Sequence, residues 1–177
     1  MKKEIKEFMF KLSGSPVVWR HKADELKHAA EVLRIEIDRS FKEANEHIER
    51  NQKSGKQEIL ISKPIIISTY NMLLGFSIEN LFKGIVLVKN PEHLTDEKLS
   101  DKLKIHDLFA LADLAQINLT DKEKTFCNIA NEAVLSSGRY PIPLKANAYT
   151  NIHHLCDKDI FEALFIKLRS QIKWYLD

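Results

Sequence analysis

Cysteine is scarce in this chain. Only Cys127 and Cys156 occur among 177 residues, and neither sits in a Cys-x-x-Cys pair or at metal-finger spacing. A disulfide framework and a zinc finger are excluded, which leaves two reduced thiols of the kind expected in a cytoplasmic protein. Also missing are a Gly-rich phosphate loop, a Gly-x-Ser-x-Gly elbow, a His-Glu-x-x-His pair and a paired-Asp motif for two metals. No cofactor and no metal is therefore expected, and the familiar hydrolases and nucleotide-dependent enzymes are disfavoured. Charge of one sign is lacking as well: 27 Lys and Arg stand against 25 Asp and Glu. Residues 1–60 carry +2, residues 61–120 carry −1 and residues 121–177 carry +1. A broad DNA binder would be expected to show a basic tail or block, although a folded positive groove stays open because sequence balance hides spatial clustering. There is no long hydrophobic run. Leu81 to Val88 is interrupted by Lys83 and is too short for a membrane span. Glu4 and Glu7 precede only a short apolar patch, unlike a secretory signal. No membrane partner is expected.

What the sequence does contain is helical periodicity. Its length suits one domain, residues 1–177. Ile5, Phe8, Met9 and Leu12 predict a short helix or arm that ends at Ser13-Gly14-Ser15-Pro16 and packs on the body or on a second subunit. A long helix is expected from between Pro16 and Trp19 to about Glu49, with Leu26, Ala30, Leu33, Ile37, Phe41, Ala44 and Ile48 as one apolar stripe. A second, from Ile65 to Val88 with Ser62 as N-cap, is apolar around much of its circumference, which marks it as the central helix. Gly75 inside it implies close helix packing. Asp107 caps a third helix. Thr120 with Glu123 is a capping-box pattern for a fourth, running to about Leu135. Gly138 can cap that helix, and a last helix is expected over Lys158–Tyr175. The fold class is all-α: a bundle of five to six helices with two long antiparallel ones at its core.

Polar residues inside apolar helices are the candidate site. Glu79 and Lys83 lie four apart in the favourable order on the central helix. His106 opens the third helix and Arg139 follows the fourth. Arg can clamp a phosphate through two parallel hydrogen bonds, and His can exchange a proton near neutral pH. The competing reading is structural: Glu79 in a partly buried ion pair with Lys83 or Arg139, and His106 as a cap. His153-His154 with Cys156 and Asp157 lack the third convergent ligand that a metal needs. His21 and His28 are too far apart to chelate one ion. Trp19, Tyr140, Tyr149, Trp174 and Tyr175 could stack on bases or pack at helix interfaces.

Two stretches carry a resemblance. Tyr70 to Gly84, followed by Lys104-Ile105-His106-Asp107-Leu108-Phe109-Ala110-Leu111, and the loop Gly138-Arg139-Tyr140-Pro141-Ile142-Pro143 together resemble the HEPN-type helical domains of prokaryotes. The resemblance spans roughly residues 60–145. It implies a homodimer formed through two long helices, and a role in RNA handling, phage defence or a toxin–antitoxin pair. Active members of that family are metal-independent RNases with an Arg and a His four to six residues apart. This chain departs from that pattern, since Arg139 is followed by no His until His153.

The resulting expectation is a HEPN-like binding module, non-catalytic, that handles RNA or a nucleotide with Glu79, Lys83, His106, Arg139 and Tyr140 lining the ligand groove. One alternative is an endoribonuclease with His106 as acid or base and Arg139 as phosphate clamp. The other is an interaction subunit that binds a cognate toxin or antitoxin protein.

Overall fold

The computed structural model describes residues 2–55, 66–140 and 154–173. Among them there is no strand; six α-helices carry the fold, with one isolated bridge between Leu94 and Leu99. They are α1 (Lys3–Ser13), α2 (Pro16–Ser54), α3 (Ile67–Lys89), α4 (Leu108–Leu114), α5 (Asp121–Glu132) and α6 (Lys158–Arg169). The expected all-α bundle is what forms.

α2 and α3 run antiparallel, as three contacts along their length require. Pro16 and Trp19 face Gly84. The Ser77 hydroxyl donates to the Ala23 carbonyl at 2.9 Å. The Arg34 guanidinium lies 6.0 Å from the centre of the Tyr70 ring. α3 is the central helix: Leu74, Ile78, Leu81, Phe82, Ile85 and Val86 are all buried, and every other helix except α1 packs around it. It is long and apolar enough to cross a membrane, but 72% of its most apolar window is buried among its neighbours.

Gly75 and Gly84 explain how the neighbours come so close. A Cβ at Gly75 would sit 2.5 Å from Val134 Cγ2 and 3.0 Å from the Ala130 carbonyl oxygen. One at Gly84 would sit 2.6 Å from Ile172 Cδ1. The sequence puts a bare backbone where α5 and the end of α6 cross α3, and the packing density of an interior leaves no room for a methyl there.

Several ends differ from the sequence-based expectation. α2 continues past Glu49 to Ser54, because Gln52 and Lys53 are good helix formers on an exposed turn. Gly55, left-handed at φ 64°, then stops it by donating its N–H to Asn51. α5 ends at Glu132 and opens into a π-helical turn over Ala133–Ser137, closed by the Gly138 N–H on the Ala133 carbonyl at 3.0 Å. That wider turn buries Ala133 and Val134 side by side against α3. α6 ends at Arg169 instead of Tyr175, as the chain turns to seat Ile172 against Gly84 while Arg20 Nη1 donates to the Ile172 carbonyl. Gly138 does end the π turn, but at φ −78°, so its role is close approach: a Cβ there would lie 2.6 Å from Met72 Cβ. Ser62 and Pro64 lie outside the described residues.

Two of the expected caps are present, whereas α3 starts at Ile67 with Ile66 in the N-cap place and no side chain capping it. Asp107 accepts from the N–H groups of Phe109 and Ala110. Thr120 and Glu123 form the reciprocal capping box. Two asparagines add ties between segments. Asn71 on α3 donates to the His154 carbonyl at 2.6 Å and accepts from the Cys156 N–H at 3.0 Å, so it holds the lead-in to α6 by both ends of its amide. Asn131 accepts from the Leu108 N–H at 2.9 Å and ties α4 to α5.

Candidate functional site

Three of the polar residues singled out from sequence meet at one place on α3. Lys83 Nζ donates to Glu79 Oε1 at 2.7 Å, one helical turn apart. Both side chains are buried. Two charges removed from water are tolerated only when each finds close partners. For Lys83 the second partner is the face of Trp19, 5.7 Å from its Nζ to the ring centre. Trp19 is itself fixed, because its Nε1–H donates to the Gly14 carbonyl at 3.0 Å.

The second partner of Glu79 is His106. Its Nδ1 lies 3.1 Å from both Oε1 and Oε2 of Glu79. An ionised carboxylate can only accept, so the hydrogen sits on Nδ1 of the imidazole. Nε2 is then the nitrogen left for a second partner. His106 is brought there by the backbone: the 3-10 turn Asp101–Leu103 buries Leu103, and Asp107 starts α4 immediately after. The imidazole therefore bridges inside and outside, with its side chain 43% exposed while the carboxylate it rests on is 5% exposed.

Arg139 joins this group through a residue to which sequence reading gave no role. Phe76, one turn before Glu79 on α3, has its ring 6.2 Å from the His106 ring in an edge-on arrangement. The Arg139 guanidinium carbon lies 5.3 Å from the centre of the same Phe76 ring. His106 and Arg139 thus share one aromatic platform, and both are exposed. The π-helical turn just before Arg139 delivers it to that platform; such single wide turns recur at functional sites. The Phe76–Glu79 spacing, three residues on one helix face, was the signal in the sequence that could have found the platform.

The arrangement divides the five candidates into two layers. Glu79 and Lys83 are buried beneath, paired with each other. His106, Arg139 and Tyr140, the last 47% exposed, form the surface. Arg139 makes no ion pair with Glu79, so one part of the structural reading is excluded.

The other candidates do not gather. Among the described residues no group of three or more His, Cys, Asp or Glu is placed to hold a metal ion. His153, Tyr149, Trp174 and Tyr175 lie outside the described residues. Cys127 and Cys156 are free and buried, and burial pushes the Cys127 thiol up to about 12 and raises that of Cys156 as well. A thiol so far from ionising is no nucleophile at neutral pH. A groove of about 310 Å³ lies between α2, α3 and α6, lined by Arg34, Asp38, Tyr70 and Phe161 among others, away from the His106 group.

No family model, no curated protein and no solved structure matches this chain.

Proposed function

We propose that this chain is a HEPN-like helical module that binds the phosphate backbone of RNA, or the phosphates of a nucleotide, at the surface formed by His106, Arg139 and Tyr140. The observation that carries the reading is the shared Phe76 ring, which puts an exposed imidazole and an exposed guanidinium beside each other over a buried carboxylate. A guanidinium offers two parallel N–H donors to a phosphate, and an imidazole adds a third donor in a different direction. Glu79 and Lys83 act beneath the surface: Glu79 fixes the ring of His106, and Lys83 pairs with Glu79 from one helical turn away. Tyr140 supplies an aromatic face next to Arg139 in sequence, suited to an unpaired base.

A second reading, a metal-independent endoribonuclease, is favoured by one specific observation. A carboxylate on Nδ1 of a half-exposed histidine is the arrangement that holds an imidazole in one tautomer and orients Nε2 for proton transfer. In that reaction the ribose 2′-oxygen attacks the adjacent phosphorus as Nε2 removes its proton, and the bond to the 5′-oxygen breaks as that oxygen takes a proton from water. A 2′,3′-cyclic phosphate and a 5′-hydroxyl result.

One experiment separates the readings. The purified protein is incubated with labelled cellular RNA in EDTA, and the products are run on matched native and denaturing gels beside His106→Ala and Arg139→Ala. A native-gel shift with intact RNA, weakened in both variants, is the expected result. Cleavage that both folded variants lose moves the assignment to the nuclease. Neither shift nor cleavage rejects both RNA readings.

A further inference from the structure

The contacts that hold the His106 ring do not end at Glu79. Glu79 Oε1 is shared: it faces His106 Nδ1 at 3.1 Å and accepts from Lys83 Nζ at 2.7 Å. The carboxylate is gripped from two sides, so its plane follows the ammonium as much as the imidazole. Lys83 is in turn a compact charge on a flexible four-carbon stem. Such a side chain ordinarily stretches until its head reaches water. Here it does not, for the Lys83 side chain is only 5% exposed. Its ammonium lies 5.7 Å from the centre of the Trp19 ring instead. A cation over an aromatic face is attracted most strongly where water is excluded.

Trp19 is suited to that part by where it stands. It lies one turn inside α2, with its backbone N–H on the Ser15 carbonyl at 3.3 Å. A long side chain on a helix leans toward the N-terminus. The indole does so far enough for Nε1–H to donate to the Gly14 carbonyl at 3.0 Å. That bond sets the direction of the ring face. Gly84, the neighbour of Lys83, lets α2 bring the indole in. A Cβ there would lie 3.3 Å from the Pro16 carbonyl oxygen and 3.4 Å from Trp19 Cβ. Four contacts then run in series, from Gly14 through Trp19, Lys83 and Glu79 to His106. They cross from the start of α2 through α3 to the segment that leads into α4.

We infer that Trp19 is a positioning residue for His106. Its indole face keeps the Lys83 ammonium beside Glu79. Glu79, so oriented, keeps a hydrogen on Nδ1 of the imidazole and leaves Nε2 for the ligand. Nε2 then donates when the ring is protonated and accepts when it is neutral. Without the aromatic face, the Lys83 stem has the reach to turn its head toward water. Glu79 loses the partner that sets its plane, and the neutral ring takes up the other tautomer, with the hydrogen on Nε2. The inference rests on the reading of His106 as part of the phosphate-binding surface, but the ring itself reports on it with no RNA present.

The test is NMR of the full-length protein with nitrogen-15 in its histidines, recorded on the alkaline side of the ring's titration. His106 is assigned by the signals lost in His106→Gln. In wild type the ring is expected to show a hydrogen on Nδ1 and none on Nε2. Trp19→Phe keeps an aromatic face and is expected to keep most of that form. Trp19→Leu removes the face and is expected to lose it. Because leucine at a packed position can unfold the chain, a second arm leaves the shape alone. Trp174→Phe leaves Trp19 as the one tryptophan, and this variant is grown on ordinary or on ring-fluorinated tryptophan. Fluorine draws electron density from the face while the ring keeps its N–H and nearly its size. The Nδ1–H form is expected to fall as fluorines are added. A form that survives full fluorination overturns the proposal even if Trp19→Leu loses it, because packing and not attraction to the ammonium would then set the ring. A wild-type ring with no hydrogen on Nδ1 overturns it as well. A protein that binds no RNA gives the same spectra, so the phosphate-binding reading and this one fail separately.

Discussion

Glu79 and His106 are 27 residues apart in sequence and 3.1 Å apart in space, with the imidazole Nδ1 equidistant from both carboxylate oxygens. The pair is asymmetric. One member is sealed inside the bundle and the other reaches solvent, so the buried carboxylate governs an exposed ring that it holds from below.

Lys83 is what makes that burial tolerable. Replacing it with Met is expected to cost about 3–5 kcal/mol, since it leaves a buried carboxylate without its cation. Replacing both partners, Glu79→Leu with Lys83→Met, is expected to recover most of that loss, because an apolar pair of similar volume needs no desolvation. Urea denaturation of both variants checks this. A double variant no more stable than the single one would contradict the account.

Glu123 gives the fold a defined acid sensitivity. Burial raises its carboxyl, but the Thr120 N–H at 2.7 Å and the Lys167 ammonium at 3.0 Å outweigh burial and hold it below the usual carboxylate range. A group depressed on folding adds stability that is present above its unfolded value of about 4.3 and is lost as pH falls through its folded value. Glu123→Gln is expected to lower the unfolding free energy by about 1 kcal/mol near neutrality, the typical worth of a cap. The gap from wild type should close on acidification. Chemical denaturation at a series of pH values reads both effects, and a gap that widens toward acid would refute the assignment.

Both thiols are expected to be silent in the native state. Cys127 and Cys156 are buried and their ionisation is suppressed. Titration with a chromogenic disulfide reagent should release no colour from folded protein and two equivalents per chain after denaturation. Fast reaction of either thiol in the native protein would show that the packing around α5 or before α6 opens readily.

Gly75→Ala tests the close approach of α3 to the end of α5. Helix propensity alone favours Ala by about 1 kcal/mol. The added methyl would meet Val134 Cγ2 at 2.5 Å and a backbone carbonyl at 3.0 Å, and overpacking of that kind costs about 1–3 kcal/mol. Net destabilisation is expected, read as a lower thermal midpoint. A stabilised variant would mean that the two elements separate at little cost.

The helices were legible because periodicity and caps agree. The Thr120–Glu123 box and the Asp107 cap each mark a start that the chain uses. The surroundings of α3 were legible too, as an all-round apolar surface with a glycine in it fits only the middle of a bundle. Helix ends were read less well. Whether α6 stops at Arg169 depends on Arg20 reaching the Ile172 carbonyl from a residue 152 positions away, and no local pattern records that. The same holds at the candidate site. Glu79 with Lys83 follows from a four-residue spacing, whereas the approach of His106 and Arg139 to Phe76 depends on how three helices cross. Asn71 was visible as a polar interruption, but its two carbonyl and amide partners come from a segment more than 80 residues later.

The π-helical turn at Ala133–Ser137 makes the aim of Arg139 a matter of counting. A π turn holds one residue more than the α turn it replaces. Deleting one residue there would let the turn close as ordinary α-helix, with the Gly138 N–H still on the Ala133 carbonyl but now as an i to i+4 bond, so Arg139 would keep its place beside the Phe76 ring. Deleting one residue from the α-helical part of α5 would instead rotate the turn and Arg139 by about 100° and carry the guanidinium off that ring. Where a one-residue gap falls thus decides its effect: inside the turn it is absorbed, and a few residues earlier it edits the surface above His106.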